Sequence, residues 1–335
     1  MDMLIRIHKN RKSLWPAAVM LLCSWMLAGC VFESDLEPTS GVNLSVRFNW
    51  AQVESPASPA SMALSVFADG AQPVQVAFAG RDGGVVSLLP NTYKLIGFND
   101  DTESLFSRGD NWEWFEIYAQ PTELSRISRM FHGTRSVPVA RGTESEEIVF
   151  EPDELWTAAL GDTRITTDTM QTVVMPMQSA ITEYHFTINN VQNLSYAVGI
   201  TGTLSGMSSS WFPAQQKGSD THCIIPFELS GEGSTLEGTI RTFGHCPGED
   251  ADNHAEHMLT IYAEMKDGSK VYFVSDVTEA MHDPNHINED DGGTGNTDIP
   301  IVIDELPLPK PITNGSGLQP AVGEWTEINI PIPMN

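Results

Sequence analysis

Basic residues are scarce. The 335-residue chain has 18 Lys and Arg against 44 Asp and Glu, a formal charge of −26. Nucleic-acid binding needs Lys and Arg to neutralise phosphates, so this balance excludes it. It also disfavours rest on an anionic lipid surface, and it suits solubility at the outer face of a cell. Cysteine is rare too: Cys23, Cys30, Cys223 and Cys246 make up the set. Only one long apolar run exists, Leu14 to Gly29, broken by Ser24. No second segment approaches the roughly 20 apolar residues of a membrane helix. Nothing shows a long 3.6-residue apolar period with helix caps. A Ser nucleophile elbow, a phosphate loop and a dinucleotide fingerprint are all missing. No acid and base can be placed together either, so neither an enzyme nor a cofactor is expected.

The apolar run follows a basic start, Arg6, Lys9, Arg11 and Lys12, and ends at Leu27-Ala28-Gly29-Cys30. Basic region, apolar region and small residues before a cut site make an export signal. Leu27-Ala28-Gly29-Cys30 resembles the lipobox of bacterial lipoproteins. That resemblance implies removal of residues 1–29 and a Cys30 that carries a diacylglycerol and becomes an acylated N-terminus. Several acyl chains at about 0.8 kcal/mol per CH₂ hold a protein on a bilayer far better than one. Loss of the signal removes four basic residues and makes the chain more acidic still. Residues 30–41 read as an acidic tether. Glu33, Asp35 and Glu37 resemble a signal for display on the outer face of the outer membrane; a plain solvated linker is the alternative.

Beyond the tether the pattern is β. Val42, Leu44, Val46, Phe48 and Trp50 alternate with Asn43, Ser45, Arg47 and Asn49, the period of a half-buried strand. Short apolar runs then recur between turn signals. Arg81-Asp82-Gly83-Gly84 and Lys266-Asp267-Gly268-Ser269 read as hairpin turns. Short strands with regular turns predict β-sandwiches. The length suggests two of them: one over residues 42–155, a linker at 156–168 that includes Trp156, and a second over 169–335.

Three runs carry a wider resemblance beside the lipobox. They are Gly83 to Ile96 with its Pro90 and Tyr93-Lys94-Leu95, then Phe98 to Glu103, and finally Ser316 to Trp325. With these the chain resembles the fimbrillin-like surface lipoproteins of Bacteroidetes, in particular a branch catalogued as a domain of unknown function. The resemblance spans most of the chain after Cys30. It implies two tandem transthyretin-like antiparallel β-sandwiches and a role as fimbrial anchor, accessory or adhesion subunit, lipid-anchored at the outer membrane and exposed on the cell surface. It also implies fimbrial subunits as partners through β-strand addition, in which main-chain hydrogen bonds give affinity and alternate side chains give specificity. Polymerising members of that family lose their first strand by proteolysis. A chain that keeps Val42–Trp50 fills its own groove and behaves as an anchor or cap. The row Ile328, Ile330 and Ile332 is a candidate donor strand or an ordinary last strand.

Other constellations leave alternatives open. Cys223 and Cys246 flank the turn near Gly231-Gly233, and each follows a histidine, His222 or His245. A disulfide, two thiols and a metal site are the three readings, the last opposed by the opposite facing of strand neighbours. His254-Ala255-Glu256-His257 lacks the i, i+4 spacing of a metalloprotease, and no metal is expected there. Asn288 to Gly293 is acidic without the spacing of a calcium loop. Trp112, Trp114 and Tyr118 either alternate into the core or stack on sugars. The sugar reading would make the chain a glycan-binding lipoprotein of a polysaccharide-uptake system. Asp168-Thr169-Met170 resembles a short O-glycosylation acceptor of Bacteroidetes.

Overall fold

The computed structural model describes residues 41–53, 57–131, 136–167, 170–246, 256–282, 299–311 and 324–328. The lipobox, the acidic tether, Asn288–Gly293, Ile330 and Ile332 lie outside these residues, as do Asp168 and Thr169.

The first half supplies β1 (Val42–Asn49), β2 (Ser61–Phe67), β3 (Val74–Ala79), β4 (Gly83–Leu88), β5 (Asn91–Asn99), β6 (Leu105–Arg108) and β7 (Glu116–Ala119). A short helix, Ser125–Met130, precedes β8 (Glu147–Ile148), β9 (Trp156–Ile165), β10 (Gln171–Pro176) and β11 (Gln178–Ser179). The second half supplies β12 (Thr182–Ile188), β13 (Val191–Gln192), β14 (Ala197–Ser208), β15 (Ser210–Phe212), β16 (Lys217–Gly218), β17 (His222–Glu228), β18 (Ser230–Glu232) and β19 (Thr235–Thr242). It ends with β20 (Met258–Met265), β21 (Lys270–Asp276), the helical turn Thr278–Met281, β22 (Ile299–Ile303), β23 (Leu306–Pro307) and β24 (Trp325–Glu327). The protein is an all-β sandwich fold, as its alternation predicts. Most pairs are antiparallel, but β1–β10, β12–β22, β17–β8, β13–β23 and β21–β24 run parallel, so the sheets are mixed.

A three-stranded sheet, β10-β1-β4, packs on one face of a five-stranded sheet, β11-β9-β5-β2-β3. Leu44, Val46 and Phe48 of β1 meet Met62, Leu64, Val66 and Leu95 in this core. The five-stranded sheet is apolar on its other face as well. Ala63, Phe67, Ile96 and Phe98 join a second, larger core. That core is enclosed by the sheets β18-β19-β12-β22 and β24-β21-β20-β14-β17-β8. Phe186 stacks on Phe227 across it, ring centroids 5.3 Å apart. Burial on both faces explains why β2 reads Ser-Met-Ala-Leu-Ser-Val-Phe, with six consecutive buried residues, rather than as a strict alternation.

Three expectations need correction. Residues 156–165 are strand β9 of the five-stranded sheet, paired along its length with β5, not a linker. Their Ala, Gly and Asp have low strand preference, and pairing with β5 overrides it. The sheets also cross the expected division at residues 155–169. Strand β10 pairs with β1, β7 pairs with β15, and β8 pairs with β17. Finally, Arg81-Asp82-Gly83-Gly84 is no hairpin turn, since β3 pairs with β2 while β4 pairs with β1. It carries the chain from one sheet to the other. Asp267-Gly268, by contrast, closes the β20–β21 hairpin, with Gly268 at φ +82° and its amide 2.8 Å from the Met265 oxygen.

The connection after β5 is tied to the one before β9 by Asp153. Its carboxylate accepts from the Glu103 amide at 2.7 Å, the Ser104 amide at 2.8 Å and the Ser104 hydroxyl at 2.9 Å. Partial burial alone pushes the acid's pKa up; the hydrogen bonds from Ser104 and Glu103 outweigh it and leave the pKa below its ordinary 3.8. A depressed acid stabilises the fold above its unfolded pKa and loses that contribution as pH falls through the folded value. Asp153→Ala should therefore cost about 1–3 kcal/mol at neutral pH, with the difference from wild type shrinking below pH 4. Denaturant titrations of both chains at pH 7 and pH 3 check this; an equal difference at both pH values would refute it.

Candidate functional site: the sheet that holds the first strand

Strand β1 is bonded on both sides. Leu44 to Asn49 run parallel to Gln171–Pro176 of β10, and Val42 to Arg47 run antiparallel to Leu88–Gly83 of β4. The alternation expected from sequence is present. Leu44, Val46 and Phe48 are buried, while Asn43, Arg47 and Asn49 are exposed. Phe48 sits edge-on to Phe78, centroids 5.9 Å apart. Gly97 makes room for it, because a Cβ there would lie 2.7 Å from the Phe48 ring and 3.2 Å from the Met175 sulfur. Gly83 allows β4 to approach: its φ is +94°, and a Cβ would fall 2.3 Å from the Val46 oxygen.

The end of β1 is clamped. The Trp50 indole donates to the Arg81 oxygen at 3.0 Å, the Arg81 guanidinium lies 4.9 Å from the Trp50 ring centre, and Trp156 meets that ring edge-on at 5.8 Å. The Met177 amide bonds the Asn49 oxygen at 2.8 Å and continues the ladder. Removing β1 would leave β10 and β4 roughly 10 Å apart, two strand spacings. Both would carry unpaired main-chain groups above an apolar floor. Such a groove fits one extended segment with apolar side chains at alternate positions.

The other sequence candidates separate. Trp112 and Trp114 lie in the turn before β7, so neither alternates into the core as a strand residue, one of the two readings of their spacing. Trp112 is half-buried against the core and bonds the Leu95 oxygen at 3.3 Å. Trp114 is 59% exposed and edge-on to Phe212 at 6.0 Å. Tyr118 sits on β7, with the Arg108 guanidinium 4.5 Å from its ring centre and Phe106 6.1 Å away. Each of the three aromatics thus has its own packing partners. Ile328 continues β24 on its own chain, its amide bonded to the Tyr272 oxygen at 3.0 Å.

Cys223 and Cys246 are both buried thiols with no disulfide between them. Cys223 lies on β17, whereas Cys246 lies in the segment after β19, so the two are not on adjacent strands. Burial first, and then the charges of Glu146, Cys246 and Glu147, push the Cys223 pKa well up, which disfavours the thiolate. One grouping was missed from sequence. His245, His257 and His282 come together although 37 positions separate the first from the last. No spacing motif announces them, because their proximity is a product of sheet pairing.

A mixed all-β sandwich whose first strand is held inside its own sheet defines the class of this protein. Residues 36–228 match the family model described as "Domain of unknown function (DUF5119)", and the chain belongs to that family. It is 22% identical to the Bacteroides ovatus protein named "Putative fimbrium anchoring subunit Fim4B", across 97% of this chain and 100% of that protein. A crystal structure of a Bacteroides ovatus protein described as a "putative adhesin" superposes with a TM-score of 0.61 at 17% identity, covering 92% of this chain and 99% of that one, and shares the fold. A more distant likeness is the fimbrial anchor protein Mfa2 of Porphyromonas gingivalis, with a TM-score of 0.47, 13% identity, and coverage of 78% and 90%.

Proposed function

We propose that this chain is a fimbrial anchor or accessory subunit, held at the outer membrane by an acylated Cys30 and exposed on the cell surface. The observation that carries this reading is β1, paired on both edges within its own chain. A subunit whose groove is filled from within cannot accept a strand from behind, so it stands at an end of a polymer. The relative named as a fimbrium anchoring subunit, aligned over nearly the whole chain, supports the same role. The scarcity of basic residues fits an outer surface, and in this reading the protein performs no catalysis.

The test is the intact mass of protein purified from its native membrane, with its partners identified after mild crosslinking. An acylated chain beginning at Cys30 and crosslinked to fimbrial subunits is the expected result. A lipid-free chain beginning after Trp50 would overturn the anchor and make the protein a polymerising subunit. An acylated chain crosslinked instead to an outer-membrane transporter would overturn the fimbrial role and turn attention to glycan capture, for which exposed Trp114 is the residue to mutate.

A further inference from the structure

Three imidazoles converge beside the larger core. His245 follows β19 and forms a bridge with Met207 of β14. His257 stands immediately before β20 and is fully buried. His282 ends the helical turn after β21, its amide bonded to the Thr278 oxygen at 3.0 Å. Nδ1 of His245 lies 2.9 Å from Nε2 of His257, and Nε2 of His282 lies 3.1 Å from that same Nε2.

Two of the outer nitrogens have polar partners as well. Nδ1 of His257 is 3.3 Å from the Ser205 carbonyl oxygen, an acceptor, so this nitrogen carries the proton. In the neutral ring Nε2 is then a bare lone pair facing inward. Nε2 of His245 is 3.1 Å from the Tyr184 hydroxyl. Gly206 creates the space for His257: its φ is +79°, and a Cβ would lie 2.7 Å from the His257 Nδ1.

Two imidazole nitrogens face the one inward nitrogen of His257. A chain from Tyr184 through His245 to His257 uses the single inward lone pair of His257, yet His282 points at the same lone pair. A cation among the three resolves this, because each ring then directs one lone pair at it. A tetrahedral ion with bonds of about 2.0–2.1 Å places its ligand nitrogens roughly 3.3–3.4 Å apart. The observed 2.9 and 3.1 Å lie close to that spacing. Ligating histidines also characteristically give their second ring nitrogen to a carbonyl or other polar partner. Ser205 and Tyr184 are placed for that task.

We propose that His245, His257 and His282 form a three-imidazole site for a divalent transition-metal ion, with Zn²⁺ the first choice for such ligands. The ion clips the end of β19 and the start of β20 to the turn after β21. His245 and His282 are only partly buried, and three imidazoles leave one position of a tetrahedral ion for a further ligand such as water. Tyr184 is a positioning residue that acts through His245.

The experiment is a calorimetric titration of the tag-free chain with Zn²⁺, paired with its thermal unfolding. One ion per chain and a rise in Tm on adding Zn²⁺ are expected. Tyr184→Phe should weaken binding about tenfold, His282→Ala should weaken it further and abolish the Tm rise, and His185→Ala, on β12 outside the cluster, should change neither. Absence of stoichiometric uptake by the wild-type chain would overturn the proposal, as would unchanged affinity in His282→Ala. X-ray absorption of the Zn²⁺-loaded wild-type chain reads the ligands without any mutation. Nitrogen scatterers at about 2.0–2.1 Å are expected, and sulfur at about 2.3 Å would move the ion to Cys223 and Cys246 and overturn the assignment.

Discussion

Deleting residues 42–50 from the chain should abolish the folded monomer, and a synthetic peptide of Val42–Trp50 should restore it. Leu44, Val46 and Phe48 are 0%, 1% and 6% exposed. Burial of such side chains stabilises by about 1.5–3 kcal/mol each, or roughly 5–9 kcal/mol for the three. That is comparable with the whole stability of an ordinary domain, about 5–15 kcal/mol. Main-chain pairing with β10 and β4 is lost as well. The peptide can replace the strand because recognition rests on the ladder and on alternate apolar positions. A peptide with Val46→Asp should fail, since it would bury an unpaired carboxylate. Tryptophan fluorescence reads the outcome through Trp156, whose neighbour Trp50 the peptide brings back. If the truncated chain melted like the intact one, β1 would not be the element that completes this sheet, and the argument for an anchor would lose its main support.

The second large effect is expected at Phe115. Its ring is 5% exposed and lies 5.6 Å from Phe67 and 5.8 Å from Phe98, ring centre to ring centre. Phe67 and Phe98 project from the five-stranded sheet, on the face away from β1. Nearby, the Trp211 indole of β15 donates to the Thr157 hydroxyl of β9 at 3.2 Å. These contacts join the sheet to the larger core, and strands β1 to β24 all lie in one compact unit, Val42–Asn335. Phe115→Ala should cost about 3–5 kcal/mol. It should also split a single unfolding transition into two, because it weakens the contact that couples the cores. Calorimetric against van't Hoff enthalpy gives the readout. Two transitions in the wild-type chain would show that the cores are energetically independent, as separate tandem domains would be.

The contrast between those expectations and the linear reading has particular causes. The alternation of Val42 to Asn49 was legible because a strand with one wet face must repeat every second residue. The Asp267-Gly268 hairpin was legible because positive φ at Gly268 is a local demand. Strand β9 was not, since the Ala-Ala-Leu-Gly-Asp within it carries little strand preference and owes its form to β5 beside it. The turn at Arg81–Gly84 has hairpin chemistry, yet it joins two sheets. Local residues specify that the chain turns there; they do not specify which strand lies next to the one that follows. Trp112 and Trp114 fall in the same class, because their spacing is that of a strand and their backbone is a turn.

By itself the sequence determined the class of this protein: an all-β chain, acidic, with an export and lipidation signal expected ahead of a first strand that buries Leu44, Val46 and Phe48. Periodicity, turn chemistry and charge are local properties, and local properties survive a reading in one dimension. Tertiary structure alone decided the partners. It set β1 between β10 and β4, packed the five-stranded sheet on both faces, and brought His245, His257 and His282 to one point. Each of those outcomes depends on which distant segments bury surface against one another, and that choice is made by the free energy of the whole fold rather than by any stretch within it.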